Sequence, residues 1–131
     1  SRLIEADCIL LIMSILSDQQ AHELEELALS LKMSVLIEAH NKEELNRAFK
    51  LSSPLVGINN RNLNTMEVSI KTSKNLLPMF PIEKIAVSES GIKNNIDLRE
   101  LANEGAKCFL IGESLMKQKD IITATKNLIQ K

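Results

Sequence analysis

Two glutamates stand where hydrophobic runs stop, in Val35-Leu36-Ile37-Glu38 and Val87-Ser88-Glu89. Desolvation at such a boundary raises a carboxyl pKa, and a nearby cation lowers it. Either way the group suits general acid–base chemistry or the anchoring of a cationic partner. The plainer alternative is a solvated carboxylate where a strand meets water. A third run leads into Gly57-Ile58-Asn59-Asn60-Arg61-Asn62. Here Asn59 offers an amide, and Arg61 offers a planar fork that fits a carboxylate or phosphate. For Arg61 the alternative is a surface salt bridge.

Ser90-Gly91 and Gly112-Glu113-Ser114 have the makings of anion-binding turns. Glycine lets backbone approach an anion closely, and N–H groups at a following helix start can donate to it. Ordinary strand-to-helix turns favour the same residues. His40 reads as a loop hydrogen-bonding group and His22 as part of a charged helix face. Glu23, Glu25 and Glu26 read as a solvated acidic face. No Cys/His spacing fits zinc, and there is no Gly-x-Gly-x-x-Gly or P-loop motif.

These groups are positioned by five apolar runs, Cys8–Met13, Ser34–Glu38, Leu55–Ile58, Lys84–Ser88 and Cys108–Ile111. They do not alternate with polar residues, which predicts strands buried on both faces. Helical patterns lie between them. Ser17 with Gln20 forms a capping box, followed by an apolar face of Ala21, Leu24, Leu27, Ala28 and Leu31. Asn41 with Glu44 repeats the cap before Leu45, Ala48 and Phe49. Further helices are predicted over Ser69–Leu77 (stopped by Pro78), over Asn95–Asn103 (Leu98, Leu101 and Ala102 inward, Gly105 as stop), and from about Asp120 to Ile129 (Ile121, Ala124 and Leu128 on one side). The order βαβαβαβαβα implies an α/β architecture with a parallel sheet. Both an open doubly wound sheet and part of a (β/α)8 TIM barrel fit it. In either, ligands bind at the C-terminal strand edge, where the charged and glycine-containing tips fall.

The 131 residues suit one domain, 1–131, with no internal linker. Hydrophobic residues make up 44% and charged residues 25%, and the core is aliphatic, since there are three Phe and no Trp or Tyr. A net charge of −1 with dispersed Lys and Arg argues against a nucleic-acid surface. The longest apolar run, Cys8–Met13, is far short of a membrane span. No secretion signal opens the sequence, and Cys8 and Cys108 read as buried, reduced thiols, so a cytoplasmic location is expected.

The segments Ala6-Asp7-Cys8-Ile9-Leu10-Leu11-Ile12, Val35-Leu36-Ile37-Glu38-Ala39-His40, Gly57-Ile58-Asn59-Asn60-Arg61-Asn62-Leu63, Val87-Ser88-Glu89-Ser90-Gly91-Ile92 and Phe109-Leu110-Ile111-Gly112-Glu113-Ser114-Leu115-Met116 resemble, in order, the fourth to eighth strands of the indole-3-glycerol-phosphate synthase family. Ala39 departs mildly from the Val usual there and leaves the carboxylate in place. The resemblance implies a lyase of tryptophan biosynthesis without cofactor or metal. It would close 1-(2-carboxyphenylamino)-1-deoxyribulose 5-phosphate to indole-3-glycerol phosphate with loss of CO2 and water. By the same resemblance Glu38 serves acid–base chemistry in the dehydrating stage, and Asn59 and Glu89 line the cleft and position reacting groups. Arg61 and Ser90 bind substrate, with Arg61 on the anthranilate side. Ser90, Gly91, Gly112, Glu113 and Ser114 bind the phosphate.

The family's catalytic lysines lie on its first and third strands, which have no counterpart here. The expectation is therefore a C-terminal barrel segment, inactive alone, whose open edges are covered by a complementing N-terminal part or by a homo-oligomer. The alternative is a non-catalytic phosphate-binding or self-associating half-barrel.

Overall fold

The structure, a computed structural model, describes residue 3 and residues 5–130. Strands β1 (Cys8–Ile12), β2 (Ser34–Ala39), β3 (Leu55–Asn59), β4 (Ile85–Glu89) and β5 (Cys108–Leu110) form one sheet. They alternate with helices α1 (Asp18–Ser30), α2 (Lys42–Ala48), α3 (Lys71–Leu76) and α4 (Asn95–Asn103). After β5 come a short α5 (Glu113–Met116) and α6 (Ile121–Ile129).

All four strand pairings are parallel. The spatial order is β1-β2-β3-β4-β5, the same as the order in sequence. A doubly wound sheet reverses its strand order at a switch point. This sheet does not, and right-handed crossovers that always step in the same direction keep the helices on one face. Five parallel βα units of this kind are consistent with part of a (β/α)8 barrel, and the doubly wound alternative is set aside.

Local chemistry explains the helix starts. Ser17 Oγ accepts from Gln20 N at 3.1 Å while Gln20 Oε1 accepts from Ser17 N at 3.0 Å, completing the expected capping box. Asn41 and Asn94 cap α2 and α4 through their side chains. Gly105, at φ +116°, takes the left-handed turn that ends α4, a conformation costly for a residue with a Cβ. Pro78 does not stop α3 outright, because its fixed φ suits the 3-10 turn Leu77–Met79 that extends the helix.

The core lies between the sheet and the helices. Leu11, Val35, Ile37, Val56, Ile58 and Ala86 point from the strands into it, meeting Leu45, Ala48 and Leu101. The opposite, inner face is different. Leu10 is 45% and Leu110 56% exposed, and Cys8 and Cys108 are exposed free thiols. The expected burial on both faces holds on β3 and β4, where Gly57, Val87 and Glu89 are buried, but fails on the edge strands β1 and β5, as does the expected burial of both cysteines. In a closed barrel the inner face is covered by side chains from strands across the axis, and five strands do not supply them.

Helix α1 also departs from expectation. Its buried residues are Ala21, Glu25 and Ala28, while Leu24, Leu27 and Leu31 are exposed. Small alanines let the helix approach the sheet closely and turn the leucine stripe sideways. Glu25, expected in solvent, is 1% exposed and accepts from the backbone N–H groups of Ser52 (2.9 Å) and Ser53 (2.6 Å). A buried carboxylate that satisfies two loop donors is a structural tie. In α4, Ala102 is exposed and Leu101 carries the burial.

Candidate active site

Strand register decides which side chains meet. Glu38 of β2 lies opposite Gly57 of β3, and Asn59 of β3 lies opposite Glu89 of β4. The three side chains therefore share the inner face at the C-terminal edge of the sheet. Asn59 Nδ2 donates to Glu38 Oε1 at 3.0 Å. Its other amide atom, Oδ1, accepts from Arg61 N at 2.9 Å, which locks the start of the following loop.

Glu89 is 2% exposed, and both its carboxyl oxygens are buried without an accepted hydrogen bond. Burial raises its pKa, and the neighbouring charge of Glu38 raises it further, to about 8. Glu89 therefore holds its proton to a higher pH than an ordinary carboxyl group. A neutral carboxylic acid beside a second carboxyl group provides a donor and an acceptor in one place, the usual arrangement for acid–base chemistry near pH 7.

Beside this trio opens a cleft of ≈ 680 Å³, lined among others by Arg61, Ser90, Gly91, Gly112, Glu113 and Ser114. The residues singled out as anion-binding turns thus converge on one space. Ser90 and Gly91 both have left-handed backbone, φ +65° and +76°. A Cβ on Gly91 would come within 2.6 Å of Val68 Cγ1, so the turn requires glycine there. At Gly112 nothing lies within 4 Å of where a Cβ would be, so that stretch of backbone is open. Ser114 Oγ donates to Ile92 O at 2.9 Å, tying α5 to the loop after β4.

Arg61 reaches towards this cleft, not towards the carboxylate trio. Its guanidinium pairs with Glu113, whose other oxygen lies 2.9 Å from Lys117 Nζ. Hydrogen bonding and charge from Lys117, with a further contribution from Arg61, hold the exposed Glu113 carboxyl below its ordinary range. The Glu113 side chain is thus an anion engaged by cations, and what it can offer a second anion is its backbone N–H.

Asn60 escaped the sequence reading, whereas His40, read as a loop hydrogen-bonding group, takes that role with Glu44. Asn60, 2% exposed, donates through Nδ2 to Ser88 Oγ (3.2 Å) and Ser90 O (3.0 Å), and its Oδ1 accepts from Ser73 N (2.9 Å). It clamps the strained Ser90 turn to α3. His40 sits between Glu38 and Glu44, at 3.1 Å from each. The cap Asn41-x-x-Glu44 was a visible signal for the His40–Glu44 contact; nothing in the sequence marked Asn60 as buried.

Among the described residues no cluster of three or more His, Cys, Asp or Glu is placed to hold a metal ion. Nor is any helix there long and apolar enough to cross a membrane.

Comparison with known proteins places this arrangement. Residues 1–128 match the family model described as indole-3-glycerol phosphate synthase. The chain is 50% identical over 129 residues to the indole-3-glycerol phosphate synthase of Azospirillum brasilense, covering 98% of this chain and 49% of that protein. It is 44% identical over 129 residues to that of Legionella pneumophila (strain Paris), covering 98% of this chain and 50% of that one. It therefore spans about half the length of the curated relatives it matches. The solved structure of DHODH in complex with ferulenol from Eimeria tenella is similar in fold (TM-score 0.65, 10% identity, covering 94% of this chain and 48% of that one). With the motifs, the sequential parallel sheet and the sequence match in agreement, the chain belongs to the indole-3-glycerol phosphate synthase family.

Proposed function

We propose that this chain is the C-terminal part of an indole-3-glycerol-phosphate synthase, corresponding to strands four to eight of the barrel. In the completed enzyme it closes 1-(2-carboxyphenylamino)-1-deoxyribulose 5-phosphate to indole-3-glycerol phosphate, releasing CO2 and water. The observation that carries the reading is the convergence at one sheet edge of Glu38, Asn59 and Glu89 with the Ser90-Gly91 and Gly112-Glu113-Ser114 turns.

The division of labour follows from the chemistry of each group. Glu38, held by the Asn59 amide, exchanges a proton with the substrate during dehydration. Glu89, neutral and dry, donates a hydrogen bond and orients the reacting atoms. The two turns take the phosphate on backbone N–H groups and the Ser90 hydroxyl, and Arg61 faces the anthranilate carboxylate once released from Glu113. No metal or cofactor takes part.

Ring closure needs an acid to activate the ketose carbonyl, and among the described residues no lysine ends a strand at the C-terminal edge of the sheet. The chain alone is therefore inactive, and a complementing N-terminal barrel part supplies the first three strands. The exposed Leu10 and Leu110 and the unpaired outer edges of β1 and β5 support such a partner. The same exposure favours a second reading, a self-associating half-barrel that binds sugar phosphates without turnover. Free, exposed thiols fit a cytoplasmic setting.

The test is turnover of the substrate by this chain alone and after mixing with the N-terminal half of a relative. Activity in the mixture only is expected. A mixture of folded halves that associates yet turns over nothing, while the chain binds a sugar phosphate, would replace the enzyme by the module.

A further inference from the structure

Charge is distributed unevenly around the cleft beside the carboxylate trio. Its ionisable lining is three cations, Arg61, Lys93 and Lys117, and one carboxylate, Glu113. That carboxylate bridges two of the cations. One oxygen accepts from the Arg61 guanidinium, and the other lies 2.9 Å from Lys117 Nζ. Arg61 belongs to the loop after β3 and Lys117 is the C-cap of α5. The two contacts therefore join loops on either side of β4.

The three groups are held unequally. Arg61 is anchored by its own backbone, whose N–H donates to Asn59 Oδ1 at 2.9 Å and which forms an antiparallel bridge with Val68. Its guanidinium also donates to Met66 O at 3.4 Å, which keeps it beside the cleft independently of Glu113. Among the described residues the Glu113 carboxylate has these two cations as its partners, and its side chain is 58% exposed. Exposed ion pairs of this kind are weak, so another anion can replace one partner. An anion on the Gly112-Glu113-Ser114 turn meets the carboxylate at close range, because the Glu113 side chain and backbone N–H belong to one residue. Two anions in one place repel, so a ligand seated there favours a carboxylate that has moved aside.

We propose that Glu113 is a built-in competitor for the cleft: its carboxylate holds Arg61 and Lys117 together until an anionic ligand takes them, a phosphate drawing Lys117 and a carboxylate drawing Arg61. No covalent bond changes; one set of ion pairs replaces another. Lys117 thereby becomes an anion-binding residue, although it lies outside the strand tips. A ligand with two anionic groups satisfies both cations that it frees, whereas a phosphate alone leaves Arg61 to Glu113. The cleft therefore discriminates by the number of anionic groups a ligand carries. In turnover this use rests on the proposed synthase reading, which gives the exchange a direction. The substrate carries a carboxylate and a phosphate, and loss of CO2 removes the first. Glu113 then regains Arg61 and competes with the product for Lys117, which favours release.

Calorimetric titration of the intact chain with inorganic phosphate at low ionic strength, where screening is weakest, tests the competition without turnover. Glu113→Gln keeps the size of the side chain and removes the charge that holds the cations. It is expected to bind phosphate about two- to tenfold more tightly than the unaltered chain. Lys117→Gln is expected to bind it about two- to tenfold more weakly, and to lose more when Glu113→Gln is also present. Glu104→Gln and Lys119→Gln alter exposed charges outside the cleft lining and change net charge by the same amounts. Neither should move the affinity by as much as about twofold. All these side chains are exposed, so the variants keep the fold. Phosphate binding that is unchanged or weakened by Glu113→Gln, or indifferent to Lys117→Gln, overturns the proposal while leaving the phosphate reading of the turns in place. Absence of phosphate binding by the unaltered chain and by Glu113→Gln alike removes that reading, and the proposal with it.

Discussion

The carboxyl group of Glu89 lies across the bare Cα of Gly57: a methyl there would sit 2.6 Å from Oε2 and 2.9 Å from Cδ. The clash is with the end of a flexible side chain, not with backbone. Gly57→Ala is therefore expected to fold, with stability changed by less than about 1 kcal/mol, because the Ala gain in a strand offsets part of the crowding. What changes is the place of the carboxyl group. Urea denaturation should show a near-native midpoint, while turnover in the completed barrel should drop at least about tenfold. A variant with native turnover would show that Glu89's position is immaterial.

Glu89 also links stability to pH. Its pKa is about 8 in the folded chain against an ordinary value of 4.5. Between those two pH values the folded state holds a proton that the unfolded state has released, so stability falls as pH rises. The contribution is fully present below about pH 4.5 and lost as pH passes through 8. Denaturation midpoints measured from pH 5 to 9 should decline in the unaltered chain, and the decline should flatten in Glu89→Gln, which cannot ionise.

Asn60→Ala removes three hydrogen bonds, two buried and one part-buried, and leaves the Ser73 N–H and the Ser90 carbonyl without their partner. A loss of about 2–3 kcal/mol is expected from orphaned groups of this kind. Since Ser90 is held at φ +65° partly by this amide, inorganic phosphate binding should weaken more than in a surface variant of equal stability. Calorimetric titration at matched fraction folded separates the two effects.

The open inner face predicts association. Leu10 and Leu110 expose apolar surface on strands whose outer edges are unpaired. Light scattering across a concentration series should show species larger than the monomer. Leu10→Lys with Leu110→Lys should shift the distribution towards monomer without lowering helix content. A concentration-independent monomer would remove the homo-oligomer from consideration.

Much of this architecture was legible. The Ser17–Gln20 capping box and the span of α4 follow from local chemistry, and strand-end chemistry follows from where apolar runs stop. What sequence pattern could not supply was which of two adjacent stripes a helix buries. In α1 the leucines mark the stronger stripe, yet Ala21, Glu25 and Ala28 face the sheet, because closeness of approach depends on the partner surface. The burial of Glu25, the rest of Glu89 on Gly57 and the Asn60 clamp each join separate strands or loops. Periodicity within one element carries no information about such distances. The open inner face was misread for a related reason: a run of Ile, Leu and Val is the same whether or not something covers it.

The sequential strand order bears on how the chain acquires its shape. Every strand pairs with the next one along the chain, across separations of only about 20 to 30 residues, so no pairing waits for a distant segment. The sheet can grow one unit at a time as the polypeptide emerges from the ribosome, each unit docking on a finished edge. The last strand to arrive, Cys108–Leu110, is also the shortest, and it brings the second half of the cleft with it. A complete cleft is thus the final property the chain gains, and a nascent chain halted before residue 108 would carry its carboxylates and the Ser90-Gly91 turn without the Gly112-Glu113-Ser114 turn that faces it.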